Sequence, residues 1–292
     1  VDELRGLTAP DGAALVWARS RPAAPQGVLV LVHGLASNLS RWAEFTARTR
    51  LASRWTILRP DLRGQGRSLW RGRAGMHEWC EDLARILDSE GAARAVVGGH
   101  CLGANIALEF AARHPQRVAG LVLIEPMPRA ALAGKYAMLA RLAPLLRAGA
   151  WLARAANALG LYRRHLALLD LEQLDRETRA ALARGPQGEA LLRRYASPLA
   201  DLKTTPLAAY LQALAATVAP GPAPSAIAVP IVALLAAGAL FTDSRRVRAW
   251  LASAPDCEIV ELAARHWIPT ESPERMRTAI EDWLERRFPH GV

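Results

Sequence analysis

The residues best suited to covalent chemistry stand together at Gly99-His100-Cys101-Leu102-Gly103. The run reads glycine, any residue, nucleophile, any residue, glycine, and it separates a short buried-strand pattern from a helical one. A sharp turn there would push the Cys101 side chain into an unusual backbone conformation, and the flanking glycines leave room for it. The helix beginning at Leu102 aims its free N–H groups and positive dipole end at the thiol, which predicts a bias toward the thiolate. Any free cysteine can also be a small buried hydrophobe. That reading suits Cys80, on the apolar face of a helix, and Cys257, ahead of a strand.

Two other signals belong to the same chemistry. His33-Gly34-Leu35 directly follows a β-branched run, so the glycine lets the loop approach a substrate. The Leu35 N–H, paired with the Leu102 N–H, could then form an oxyanion hole. His33 itself also fits the plainer role of a strand-end residue holding that loop. His266 lies in a loop between the last strand pattern and a helix introduced by Ser272-Pro273. Of the seven histidines it alone has the chain position of a general base following nucleophile and acid. His77, His114, His165 and His290 fall in helices or at their ends, and His100 is expected to pack behind the turn.

These residues need a scaffold that brings them to one edge. Strands are expected at Leu4–Leu7, Ala13–Ser20, Val28–Val32, Trp55–Arg59, Ala95–Val97 and Val118–Ile124. Helices are expected at Arg41–Arg54, capped by Asn38 or Ser40, and at Met76–Ser89 and Leu102–Arg113. This alternation predicts an α/β fold, a doubly wound and mostly parallel sheet. From Pro126 to Ala226 the rhythm changes to helical segments rich in Leu, Ala and Arg, punctuated by Gly185-Pro186, Ser197-Pro198 and the stretch Pro220 to Pro224. The α/β pattern resumes with strands at Ile231–Leu235 and Glu258–Leu262 and helices at Asp243–Ala254 and Ser272–Phe288. Residues 1–125 and 227–292 therefore form one core, and residues 126–226 read as a helical lid inserted after the sixth strand. Met138, Leu142, Leu145, Leu146, Trp151, Leu152 and Leu159 offer that lid an apolar stripe, either lining an acyl pocket or packing against the core.

His33-Gly34, Asp61-Leu62-Arg63-Gly64-Gln65-Gly66-Arg67-Ser68, the turn at Cys101 and His266 occur in the order of the α/β-hydrolases, which the chain resembles over nearly its whole length outside the lid. The Asp61–Ser68 loop is a structural hallmark of that fold. Most of the family carries serine where this chain carries Cys101, but dienelactone hydrolases and polyhydroxyalkanoate synthases are similar in using cysteine. The family's acid usually follows the seventh strand, where only Asp243 stands, late and in position to cap a helix. Glu125 instead ends the sixth strand. The stretch from Gly238 to Glu274 resembles haloalkane dehalogenases, whose acid is a glutamate after the sixth strand, so the resemblance implies Glu125, with Asp243 as the alternative. Dehalogenation itself does not carry over, because alkylated Cys101 would be a thioether that water does not cleave.

The composition sets the outer bounds. The 292 residues are 51% hydrophobic and 22% charged, which excludes disorder, collagen-like repeats and a coiled-coil rod. No apolar run of about 18 residues predicts a membrane span. Three scattered cysteines are too few for a disulfide framework or zinc site, and a reduced, cytoplasmic setting is the default expectation. The net charge of +10 is almost wholly arginine, since Lys135 and Lys203 are the only lysines. Without a basic run interleaved with aromatics it predicts a solvated surface and no nucleic-acid partner. The expected activity is hydrolysis of an ester, thioester or lactone through Cys101, His266 and Glu125, on a small acyl substrate with an apolar part, and with no cofactor or metal. An acyltransferase, fed by an acidic acyl-carrier protein docking on the arginines, is the alternative. A non-catalytic ligand binder on the same fold is the third reading.

Overall fold

The computed structural model of the chain describes residues 2–184, 195 and 197–292. Eight strands form one sheet: β1 Glu3–Thr8, β2 Ala14–Ser20, β3 Gly27–Val32, β4 Trp55–Pro60, β5 Ala95–His100, β6 Val118–Ile124, β7 Ile231–Ala236 and β8 Cys257–Leu262. Their spatial order is β1-β2-β4-β3-β5-β6-β7-β8. β1 and β2 pair antiparallel, as do β2 and β4, and every later pair is parallel. β5 and the continuous apolar runs of β6 and β7 are buried throughout, as strands covered on both faces must be.

Among the described residues the α-helices are α1 Ala43–Arg48, α2 Met76–Ser89, α3 Leu102–Arg113, α4 Gly134–Arg141, α5 Ala143–Ala158, α6 Leu171–Leu182, α7 Pro198–Thr204, α8 Leu207–Thr217, α9 Ser244–Leu251, α10 Ile268–Glu271 and α11 Pro273–Arg287. One core lies between the sheet and α2 and α3, through residues such as Leu83, Ile86 and Phe110. The other lies on the opposite face, around Trp42, Trp55, Ile280 and Trp283. Helices α4 to α8 all fall between β6 and β7, and among the described residues of that stretch only an isolated bridge, Leu132 to Thr242, has strand character. The Gly185-Pro186 break lies outside the described residues.

One expected helix is broken. Arg41–Arg54 divides into a 3-10 turn at Leu39–Trp42, α1, and a second 3-10 turn at Arg50–Ser53. Thr49 interrupts it in an extended conformation, because its hydroxyl both donates to Glu281 of α11 and accepts the Leu51 N–H. A local hydroxyl bond competes with helix propagation, and a tertiary partner decides the contest. At the start, Asn38 rather than Ser40 is the cap, accepting from the Ser40 N–H at 2.9 Å.

The chain reverses the direction of winding between β3 and β5, and the carboxyl ends of these neighbours open the crevice where ligands bind in such sheets. Close packing there depends on glycine. A Cβ on Gly103 would lie 2.2 Å from the Val32 carbonyl oxygen, and one on Gly99 would lie 2.4 Å from the Gly103 backbone. Gly103→Ala should therefore destabilise the fold by at least about 1–3 kcal/mol, the usual cost of overpacking. Gly221→Ala, where a Cβ meets nothing within 4 Å, should stay within about 0.5 kcal/mol of wild type. Urea midpoints of the two variants check the contrast.

Candidate active site

Cys101 stands between β5 and α3 with φ 55° and ψ −113°. Its own N–H donates to the Ile124 carbonyl of β6, and its carbonyl accepts from Ala104 and Asn105 as α3 begins. Among the described residues, three non-glycines have positive φ: Ala36, Cys101 and Glu125. One follows β3, one β5 and one β6, so the backbone strain collects at a single edge of the sheet.

The thiol is buried, and its hydrogen bond goes to Met127 Sδ at 3.2 Å. Met127 is fixed in turn by Asn105 of α3, which accepts from its N–H at 2.9 Å and donates to its carbonyl at 3.1 Å. Burial pushes the Cys101 thiol up to about 12, and the Glu125 carboxylate adds to the rise. The Leu102 and Leu35 N–H groups pull the other way as donors toward the sulfur. The expected bias toward thiolate is thus corrected: desolvation outweighs the helix terminus, and the resting group is a thiol.

His33 takes the plainer of its two roles. Its Nε2 accepts from the Leu62 N–H at 3.0 Å, so its Nδ1 carries the proton and donates to the Gly34 carbonyl at 2.8 Å. The hallmark loop beyond it is built on Asp61, whose two oxygens accept from the N–H groups of Leu39 and Arg67, each at 2.6 Å. Both interactions set the path of the Gly34-Leu35 segment.

His266 is buried, with Nδ1 3.2 Å from Glu125 Oε2. The other Glu125 oxygen accepts from the Ala236 N–H at the end of β7 at 2.6 Å. Burial pushes Glu125 up to about 8 and His266 down to about 3, each toward its uncharged form. Asp243 lies on the surface, where its carboxylate caps α9 by accepting from the Arg245 and Arg246 N–H groups. The structure therefore brings Glu125, and not Asp243, to the histidine.

Two positioning residues were not foreseen. The Glu271 carboxylate of α10 accepts from the main-chain N–H groups of Arg265, His266 and Trp267 at 2.9–3.2 Å, fixing the histidine loop. Its signal in the sequence is the acidic residue five positions beyond His266. His100, expected behind the turn, instead lines the cavity and bonds the His266 carbonyl through Nε2 at 2.9 Å. Arg41 is also tied down: its guanidinium meets both Asp175 oxygens at 2.6 Å and Thr270 at 2.7 Å, joining α6 to the core.

Cys101, His266, Leu35 and His100 all line one cavity of about 460 Å³. Residues of α4, α6, α7 and α8 roof it, with Tyr136, Leu139, Leu171, Leu174 and Leu214 among them. The expected apolar stripe is elsewhere. Met138, Leu142, Leu145, Trp151, Leu152 and Leu159 are exposed, and only Leu146 of that set packs toward the cluster around Cys101. The helical period of α4 and α5 was legible, but their fully buried positions are alanines, Ala140, Ala143 and Ala150.

Comparison with known proteins agrees with this architecture. Residues 27–219 match the family described as alpha/beta hydrolase fold, and the chain belongs to that family. It is 34% identical over 110 residues to a Caulobacter vibrioides protein named "Putative carbamate hydrolase RutD" and 36% identical over 111 residues to Lipase LipV of Mycobacterium tuberculosis. Each match covers 37% of this chain and 40% of the relative, so the chain spans well under half the length of these curated relatives. A thermophilic esterase from Thermogutta terrifontis superposes with a TM-score of 0.69 over 98% of this chain and 99% of its own, at 21% identity. That likeness is one of fold. No helix among the described residues is long and apolar enough to cross a membrane.

The acid position can be tested through stability as well as rate. Glu125 rises from an ordinary 4.5 to about 8 on folding, so its contribution to stability is present below about 4.5 and is lost as pH climbs toward 8. Glu125→Gln should therefore melt several degrees above wild type at pH 8.5 and show a smaller gain at pH 5. Asp243→Ala should cost about 1 kcal/mol through the lost helix cap at either pH. Calorimetric melting at the two pH values reads both.

Proposed function

We propose that the protein is an acyl-transferring hydrolase that cleaves an ester, thioester or lactone through Cys101. The observation that carries this reading is the strained Cys101, with the Leu35 and Leu102 N–H donors toward its sulfur, in the same cavity as a histidine held by a buried carboxylate. In the first half-reaction His266 Nε2 takes the thiol proton as sulfur attacks the carbonyl carbon. The two N–H groups hold the resulting oxyanion. Collapse breaks the bond to the leaving group, which departs with the proton from His266 and leaves an acyl thioester on Cys101. Water then attacks with His266 again as base, releasing the acid and restoring the thiol.

Glu125 orients the ring and stabilises the imidazolium formed in both halves. Because Cys101 rests as a thiol, proton removal accompanies attack rather than preceding it, and the thiol must first leave Met127. Helices α4 to α8 act as the lid, admitting substrate and then excluding water. The relatives' names, a carbamate hydrolase and a lipase, lie within the same acyl chemistry. Transfer to an amine, alcohol or thiol is the second reading. The buried, roofed thiol favours it, because a thioester sheltered from water survives until an acceptor arrives.

An activated ester such as 4-nitrophenyl acetate should acylate Cys101 alone, seen as one added acetyl group on the peptide carrying it. Cys101→Ala should abolish that adduct. Iodoacetamide, which needs an accessible thiolate, should instead label the half-buried Cys257 first. Acylation of surface residues with Cys101 unmodified would defeat the reading.

The rate should follow the ionisation of Glu125. Only its carboxylate form stabilises the imidazolium, so kcat/KM should climb as pH rises through about 8. Glu125→Gln should lower turnover by about two to four orders of magnitude and remove that rise. A profile that is flat from pH 6 to 9 in wild type would place the acid elsewhere.

A further inference from the structure

The cavity around Cys101 carries a charge pattern that acyl transfer alone does not require. The chain has 37 lysines and arginines, and only Lys135 and Lys203 are lysines. Both line this cavity, whose described lining is less than a tenth of the chain. Lys135 Nζ lies 5.3 Å from the centre of the Phe241 ring, and Phe241 packs edge-on against His266 at 4.6 Å between centres. One aromatic ring thus separates this ammonium from the proposed base. Neither lysine forms an ion pair among the described residues.

The other charges of the lining do not cancel the lysines. Arg41 is engaged by Asp175, which leaves its charge balanced. Asp201 is the one carboxylate among the described lining residues. Burial pushes it up to about 7, against the hydrogen bond from Tyr210 and the field of Lys135, so it is only partly ionised near neutral pH. Both lysines are themselves exposed, which places them at the mouth. A flexible, hydrated ammonium suits a carboxylate or phosphate in a half-wet mouth, where the planar arginine fork would demand one fixed geometry. Deeper in, Leu139, Leu171, Leu174 and Leu214 supply apolar surface.

We propose that the substrate is anionic: an acyl compound with a carboxylate or phosphate held by Lys135 and Lys203 while its carbonyl lies over Cys101. This rests on the acyl-transfer reading for the placement of the carbonyl, but the selection for charge can be measured without any chemistry.

Three esters separate the cases: 4-nitrophenyl hemiglutarate, anionic on the acyl side; 4-butanoyloxybenzoate, anionic on the leaving group; and neutral 4-nitrophenyl pentanoate. Each kcat/KM is divided by the rate of that ester with hydroxide. At least one anionic ester should exceed the neutral one by on the order of ten-fold, the size that two solvent-exposed charge pairs support, and the ratio should shrink with added salt. The arm that shows the preference tells which end carries the charge. Lys135→Met with Lys203→Met should bring the ratio to about one, and Lys135→Glu should take it lower. Calorimetric binding of the uncleavable pair 5-oxohexanoate and 2-hexanone should show the same preference and the same response to the variants. Selective binding without turnover would overturn acyl transfer and keep the anionic site. Turnover with no charge preference, or a preference that both lysine variants retain, would overturn the anionic site alone.

Discussion

The contact between Gly103 and the Val32 carbonyl governs the geometry on which the site depends. With a Cβ at Gly103 only 2.2 Å from that oxygen, α3 can approach β3 only if the position is glycine. The approach seats the first turn of α3 against the carboxyl ends of β3 and β5, and the connecting residue, Cys101, has φ 55°. A non-glycine residue in that region costs on the order of 1–3 kcal/mol, and it persists only where its surroundings allow nothing else. Here they do so through the Cys101 N–H to Ile124 and the helix N–H groups on the Cys101 carbonyl. Relaxing the turn would break both. The strain at Ala36 and Glu125 follows from the same edge, where each strand must hand its chain sharply into the crevice.

Burial is the second constraint, and it acts against reactivity at rest. The same burial pushes the thiol up, Glu125 up and His266 down, so the resting site holds groups driven toward their uncharged forms. Charge is then tolerated best when it is created in pairs during a reaction: an oxyanion beneath two N–H groups and an imidazolium beside a carboxylate. Low dielectric makes each of those interactions stronger than it would be in water. Under the proposed chemistry, the surroundings that suppress a free thiolate are those that favour a charge-separated transition state. Met127 fits this account, since it offers the idle thiol a soft partner in place of solvent.

What could be read from the sequence was local or strongly periodic. The glycines around Cys101, the buried strand runs and the Asp61–Ser68 loop each announce themselves within a few residues. The contacts that order the site join positions far apart in the chain. Arg41 meets Asp175 across 134 residues, Glu125 reaches His266 across 141, and Thr49 breaks a helix for a partner 232 residues away. No periodicity encodes such pairs. The apolar stripe of α4 and α5 failed as a guide for a different reason. Alanines and leucines both count as hydrophobic, yet the fully buried positions of these helices are alanines and most of their large apolar side chains meet solvent.

The place of the carboxylate explains why the loop after β7 looks unlike a catalytic loop. Glu125 leaves β6 with φ 49°, which turns its chain toward the end of β7. The Ala236 N–H there donates to one of its oxygens and His266 meets the other. The end of β7 therefore contributes a backbone donor that holds the carboxylate and, under the proposed chemistry, no acid of its own. Freed from that duty, the loop beyond it does structural work. Phe241 walls the histidine, Thr242 bridges to Leu132, and Asp243 caps α9. A glutamate suits the β6 position because its extra methylene spans the gap between neighbouring strands. An aspartate there would fall short of either the Ala236 N–H or His266, and the loss of one would release the orientation of the other.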